Sequence, residues 1–170
     1  GAIPIGIDVD CRGLMDLENL FTKNVECVIP VHMHGAMVNM ELLMNWAKKH
    51  NVKVIEDCAQ AHGSELKKRK AGSWGDIGVF SFYPTKNLGA IGDAGVIVTA
   101  DEYLANSIRS LCNYGSDLNS KYHHSKIGFN RRLDTIQAGI LKINLKYLDQ
   151  WNLKRKILAN LYIEELQLLN

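Results

Sequence analysis

No two of the four cysteines (Cys11, Cys27, Cys58, Cys112) form a CxxC pair. A zinc ribbon is therefore disfavoured, and scattered thiols fit a reducing cytoplasm. No apolar run is long enough to span a bilayer, and the first residues do not read as a signal peptide. Charge of one sign is not in excess: 20 basic residues stand against 18 acidic ones, for a net charge of +2. That balance gives no basis for nucleic-acid steering. The one dense basic run, Lys67-Lys68-Arg69-Lys70, reads as a solvated turn. There is no internal repeat and no low-complexity tract. These absences predict a soluble, cytoplasmic protein with neither nucleic acid nor membrane among its partners.

Two nucleotide-binding signatures are also missing. Gly89, Gly92 and Gly95 are spaced GxxGxxG and precede a strand, whereas the dinucleotide fingerprint is GxGxxG and follows one. No GxxxxGK[ST] loop occurs anywhere. The glycines read instead as tight turns beside Lys86. His32 and His34 lie two apart at a strand end and are expected to point the same way. No further ligand has suitable spacing, so the expectation is packing or substrate contact, with no metal. His123-His124 reads as solvated surface.

What is present is ordinary globular composition, 46% hydrophobic and 22% charged over 170 residues, enough for one domain. Strands are expected over Ala2–Val9, Glu26–Val31, Lys53–Asp57, Ile77–Phe82 and Gly95–Thr99. Helices are expected over Met15–Phe21, Met40–Lys49, Asp101–Cys112 (with Asp101 as N-cap) and almost throughout Leu133–Leu169. Asn113–Gly128 reads as a polar loop. Apolar strands separated by helices predict an α/β fold with a mostly parallel sheet. The last strand follows a connection that does not read as a helix, so it is expected to be antiparallel. The chain starts in what looks like the middle of a sheet and stops inside a helix, so it is read as a piece of a longer protein.

Reactive groups in an open α/β sheet gather past the carboxyl ends of its strands. Asp57 ends KVIED and is followed by Cys58-Ala59-Gln60-Ala61-His62-Gly63. Ser81 and Lys86 lie at and beyond the end of IGVFSF. If the two strands are neighbours, a carboxylate, a hydroxyl and an amine share a crevice. A neutral lysine amine forms an imine with a carbonyl, and a carboxylate alongside keeps a pyridine nitrogen protonated. The small side chains of Ala59 and Ala61 leave room for a flat ring. The plainer alternative makes Asp57 a helix cap, pairs Ser81 with backbone, and leaves Lys86 on the surface.

The stretches VIPVHMHG, KVIEDCAQAHGS, GDIGVFSFYPTKNLGAIGDAGVIVT and GFNRRLDTIQAGIL resemble the DegT/DnrJ/EryC1/StrS family of pyridoxal-phosphate (PLP)-dependent sugar aminotransferases, in family order and spacing. The resemblance implies the aspartate-aminotransferase-like fold type I, incomplete at both ends, working as a homodimer. Residues 1–132 would be part of the PLP-binding large domain, and 133–170 a long helix leading toward a small domain. Lys86 matches the lysine that holds the cofactor as a Schiff base and moves the proton. Asp57 matches the partner of the pyridine nitrogen, Gln60 the residue near the phenolic oxygen, and Ser81 a phosphate ligand. Asn130 matches an asparagine that reaches the partner subunit's phosphate.

The implied activity is amino transfer, with glutamate as expected donor, to a nucleotide-linked keto-deoxysugar in amino-sugar biosynthesis such as that of lipopolysaccharide O-antigen. The wording SFYPTKNLGAIGDAG, NYGS and LKYLDQWN is most similar to members that aminate C3. The alternatives are a non-catalytic or truncated paralogue and a PLP-dependent sugar dehydratase. In the dehydratase branch a histidine replaces the lysine. His34 stands where an aromatic residue is commoner, and Arg131 where a small residue follows the asparagine.

Overall fold

The computed structural model describes residues 1–117 and 120–167, and its first helix begins at a carboxylate cap. Asp16 Oδ1 accepts the N–H of Glu18 (2.9 Å) and of Asn19 (3.3 Å), opening α1 (Leu17–Phe21). Strand β1 is only Cys27–Val28, although the apolar run continues to Val31. Pro30 has no N–H to give a ladder. Pairing resumes as a single parallel bridge between Val31 and Asp57. After a 3-10 turn at Met33–Gly35, helix α2 (Met40–His50) buries Met40, Leu43 and Ala47 on one face. It ends at Asn51, whose left-handed φ of 56° turns the chain into the next strand.

Strand β2 (Lys53–Asp57) leads into a hairpin rather than a crossover helix: β3 (Glu65–Leu66) and β4 (Arg69–Lys70). Of the basic run read as a turn, Lys67 and Lys68 form the turn of this hairpin, while Arg69 and Lys70 are its second strand. Lys67 and Lys68 both have positive φ (50° and 65°), the geometry that matches hairpin twist. Strands β5 (Ile77–Ser81) and β6 (Gly95–Val98) come next, then α3 (Glu102–Cys112), capped by Asp101. The main sheet has the order β1-β2-β5-β6. Its first three strands are parallel and β6 is antiparallel, as the sequence predicts.

Two expectations are corrected. Ala2–Val9 makes no ladder; its single bridge joins Val9 to Met15, and Ile3 and Ile5 are exposed. An extended apolar run is a strand only where a neighbour takes its N–H and C=O groups, and no strand lies beside it among the described residues. The polar segment after α3 is a hairpin, β7 (Ser116–Asp117) with β8 (Ser120–His124). Asp117 ties it by contacting His123 Nδ1 and accepting Ser125 Oγ, so side-chain pairing supplies what hydrophobicity does not.

Helix α4 (Thr135–Asn144) is capped by Asp134, passes through a 3-10 turn at Leu145–Tyr147, and continues as α5 (Leu148–Gln167). The expected helix is thus observed, with Leu169 lying outside the described residues. Leu141 and Leu148 pack on Leu88 and Ala90, which follow Lys86 in the same loop. The larger core lies between α1, α2 and the sheet, around Leu14, Leu20, Met40, Leu43 and Val54.

One buried side chain ties these layers together. Glu56, on β2, is fully buried. Its Oε1 accepts the N–H of Trp74 (2.6 Å) and Gly75 (2.7 Å). Its Oε2 accepts Gly72 N–H (2.9 Å) and His32 Nε2 (3.0 Å). His32 Nδ1 in turn accepts Val38 N–H (3.3 Å), so the ring is the neutral tautomer with its proton on Nε2. His32 and His34 therefore do not point the same way. His32 is buried, whereas His34 is exposed with a left-handed φ of 56°.

Burial pushes the Glu56 carboxyl up, but the His32 bond and the N–H groups of Gly75, Gly72 and Trp74 outweigh it and hold it below the usual range. A depressed carboxyl stabilises the fold above its unfolded value of about 4.3, and that contribution disappears as pH falls through the folded value. Glu56→Gln, which turns one acceptor into a donor facing N–H groups, is expected to cost about 2–3 kcal/mol at neutral pH. Urea unfolding at neutral and acidic pH checks this, the variant showing a smaller acid loss than the wild type.

Candidate functional site

The parallel register sets three strand ends side by side. Asp57 pairs with Val79 on β5, and Val31, beyond β1, bridges to Asp57. The segments leaving these ends form adjacent loops and bond to one another. His34 N–H donates to Gln60 Oε1 (2.8 Å), Ser64 Oγ donates to Gly35 O (2.8 Å), and His62 Nε2 meets Ser81 O (2.9 Å).

A cleft of about 560 Å3 lies over these loops, lined by His34, Gln60, His62, Lys86 and, from α5, Arg155 and Lys156. A second cleft, of about 550 Å3, shares Lys86 and Asn87 and is walled by Asn144, Trp151 and Lys154. Lys86 is half-buried between the two, not a free surface lysine. Gln60 and Lys86 therefore share one cleft. Asp57 is half-buried on the same strand-end edge; its Oδ1 accepts Ala59 N–H (3.0 Å) in a local turn rather than capping a helix. Its Oδ2 has no hydrogen-bond donor among the described residues. Ser81 Oγ accepts Tyr83 N–H (3.3 Å), the backbone pairing of the plainer alternative. Asn130 is not brought to this cleft: it is exposed and bridges Asn113.

His62 sits among the residues quoted after Asp57 but carries no distinctive spacing, so its place was not legible. It is buried and stacks at a tilt near Phe80 and Phe82. Because Ser81 O only accepts, Nε2 must carry the proton. Nδ1 is then a bare acceptor, the one buried side-chain polar atom without a partner among the described residues. Burial pushes the His62 imidazolium down, the bond to Ser81 O opposes this, and the Lys86 charge adds to the lowering. The glycines beside the lysine are not positive-φ turns. Gly89 and Gly92 serve close approach instead: a Cβ there would lie 2.6 Å from Pro84 O and 2.9 Å from Gln137 Nε2.

A second polar cluster, His32, Glu56 and Cys58, brings its donor atoms within 4.8 Å of one another. Both ring nitrogens of His32 and both oxygens of Glu56 are already engaged. Burial, with Glu56 and Asp57 nearby, pushes the Cys58 thiol up to about 12. A metal needs free lone pairs and a thiolate, so this cluster is a structural polar core.

A half-buried lysine and a carboxylate thus lie at and beyond adjacent ends of the parallel strands of an α/β fold. The family model described as the DegT/DnrJ/EryC1/StrS aminotransferase family matches residues 1–170, and the chain belongs to that family. It is 44% identical over 170 residues to the UDP-N-acetyl-3-dehydro-alpha-D-glucosamine 3-aminotransferase of Acidithiobacillus ferrooxidans, covering 98% of this chain and 46% of that protein. It is 43% identical over 150 residues to the dTDP-3-amino-3,4,6-trideoxy-alpha-D-glucose transaminase of Streptomyces venezuelae, covering 88% of this chain and 39% of that one. The chain thus spans less than half the length of these relatives.

Among solved structures, S. venezuelae DesV in complex with a ketimine intermediate superposes with a TM-score of 0.85 at 40% identity, over 89% of this chain and 41% of that one. Bacillus subtilis NtdA with bound cofactor PMP superposes at 0.90 and 32% identity, over 98% and 39%. The fold is that of these two proteins, represented in part.

Native labelling with a small thiol reagent at mildly alkaline pH is expected to modify exposed Cys11 and spare Cys58. Mass mapping checks this; rapid labelling of Cys58 would contradict its place in the core.

Proposed function

We propose that the complete protein transfers an amino group from an amino-acid donor, glutamate by expectation, to C3 of a nucleotide-linked keto-deoxysugar, with pyridoxal 5′-phosphate as cofactor. The observation that carries this is Lys86, held between two clefts beside the loops of Asp57 and Gln60. The two relatives named above act at position 3 of nucleotide sugars by their names, which supports both substrate class and position.

The residues present fit the cofactor. Asp57 offers an open Oδ2, Gln60 keeps its amide N–H groups after Oε1 is taken, and His62 leaves a buried acceptor. When bound, PLP supplies an electron sink for charge developing on the substrate carbon. Asp57 would hold the pyridine N–H, and Gln60 would donate to the ring's phenolic oxygen. Ser81 would bind the phosphate together with Asn130 of a second subunit, which accounts for the distance of Asn130 from the cleft. Lys86 Nζ would attach the cofactor covalently and, once released, carry the proton at the reacting carbon. Retention of lysine at position 86 disfavours the dehydratase alternative.

In this reading residues 1–132 are part of the cofactor-binding domain and 133–170 lead toward a small domain. The protein works as a cytoplasmic homodimer that provides amino sugars for a surface polysaccharide such as O-antigen. No helix among the described residues is long and apolar enough to cross a membrane.

In the complete gene product, Lys86→Ala is expected to lower amino transfer from glutamate to a 3-keto sugar nucleotide by roughly 10²–10⁴-fold or more. Activity within about tenfold of wild type would end the reading. NMR of the product tests the position, an amino group on C4 correcting it.

A further inference from the structure

The loop that carries Lys86 is held from outside the sheet by side-chain amides of α4 and α5, in addition to its own backbone bonds. Asn87 Nδ2 donates to Asn152 Oδ1 (2.9 Å), and Asn152 Nδ2 donates to His62 O (2.8 Å). His62 Nε2–H donates to Ser81 O (2.9 Å). Further along the loop, Asn144 Nδ2 donates to Gly89 O (3.0 Å) and Gln137 Oε1 accepts Ile91 N–H (3.0 Å). Gln137 and Asn144, seven residues or about two turns apart, share one side of α4, and Asn152 follows on α5 beyond the 3-10 turn. The backbone leaves room for them. Gly63 has φ +88° and a Cβ there would lie 2.7 Å from Asn152 Nδ2; at Gly92 it would lie 2.9 Å from Gln137 Nε2.

Asn152 is hydrogen-bonded to both loops. Its carbonyl oxygen takes the neighbour of Lys86, and its amide nitrogen takes the backbone of the loop that carries Gln60. The same His62 whose carbonyl it binds fixes the carbonyl of Ser81 through the ring. A half-buried Asn with both ends engaged sets a distance between its partners; a leucine of equal size would fill the space and set none.

We infer that Asn152, acting with His62 and Asn87, is a positioning residue that fixes the spacing between the lysine-bearing loop and the Asp57–Gln60 loop. The inference rests on the proposed role of Lys86 for its catalytic meaning, but the relay itself is independent of any cofactor. The long helix thereby becomes a working part of the site rather than only a connector. Asn144 and Gln137 extend the same contact along the loop.

Two measurements on the complete gene product test it. Without cofactor, hydrogen exchange in Asn152→Leu is expected to rise about tenfold at the amides of Lys86, Ala90 and Ile91, the effect of losing one or two hydrogen bonds. The helix amides around Leu141 should keep their protection. With pyridoxal phosphate added, Asn152→Leu and Asn87→Ala should each slow covalent attachment at Lys86 about tenfold, and shift the pH at which the bound visible band titrates. The double variant should be no slower than the slower single one. Asn152→Asp, which keeps the bond from Asn87 and loses the one to His62 O, should fall between. Unchanged loop exchange, or attachment losses that multiply in the double variant, would overturn the inference. Should the wild type attach no cofactor, the proposed function fails while the exchange result still decides the relay. If Asn152→Leu does not fold, Asn87→Ala gives the same exchange test from the loop side.

Discussion

Glu56 is the constraint on which the rest of the structure depends. A buried carboxylate without partners is costly, and here its two oxygens accept four hydrogen bonds from chain that is distant in sequence. Those bonds pin the turn at Gly72–Gly75, which feeds β5, and His32, which lies just past β1. The first three strands are thereby fixed at their ends as well as by their ladders. Each bond leaves the next group with one role: His32 becomes a neutral donor, and Val38 N–H finds its acceptor on the other ring nitrogen. This polar core adjoins the loops that line the cleft, and its ring nitrogens and carboxylate oxygens are already engaged.

With the strand ends fixed, the loops above them need only be fixed laterally. Two kinds of contact do this. Leu88 and Ala90 pack on Leu141 and Leu148, which removes apolar surface from water without specifying direction. The amides of Gln137, Asn144 and Asn152 add direction. The division would matter for Lys86 in the proposed role, because small displacements of a catalytic group cost far more in rate than in stability. The cleft thus draws on distant parts of the chain: strands supply Asp57 and Ser81, and Asn152 of α5 bonds the loops beyond them.

Much of this was legible in the sequence, for physical reasons that also mark where legibility stops. Strands Lys53–Asp57 and Ile77–Ser81 announced themselves as apolar runs bounded by turns, and the helix after Asp134 by its leucine spacing. The shared edge of Asp57 and Lys86 followed once the strands were neighbours. Ala2–Val9 misled because apolar alternation describes a strand's side chains, not the partner its backbone needs. The hairpin at Ser116–His124 was invisible because polar pairings hold it, and hydrophobic periodicity does not report those. His32 and His34 misled because period two holds only inside a strand, and the chain leaves the sheet after the Val31 bridge through the 3-10 turn at Met33–Gly35. His62 and Asn152 gave no signal because a histidine or asparagine takes its role from a partner 19 or 90 residues away. Asn130 lies off the cleft, at the bridge to Asn113.

The central claim is that Lys86, and no other cation around the clefts, is the amine that takes the cofactor. Lys154 and Lys156 of α5 line the same clefts, so the alternatives are concrete. The most direct measurement is borohydride reduction of the complete protein after incubation with pyridoxal phosphate, with proteolysis and mass mapping of the pyridoxyl group. The account predicts stoichiometric label on the peptide containing Lys86. Label distributed to Lys154 or Lys156, or none at all, would contradict it.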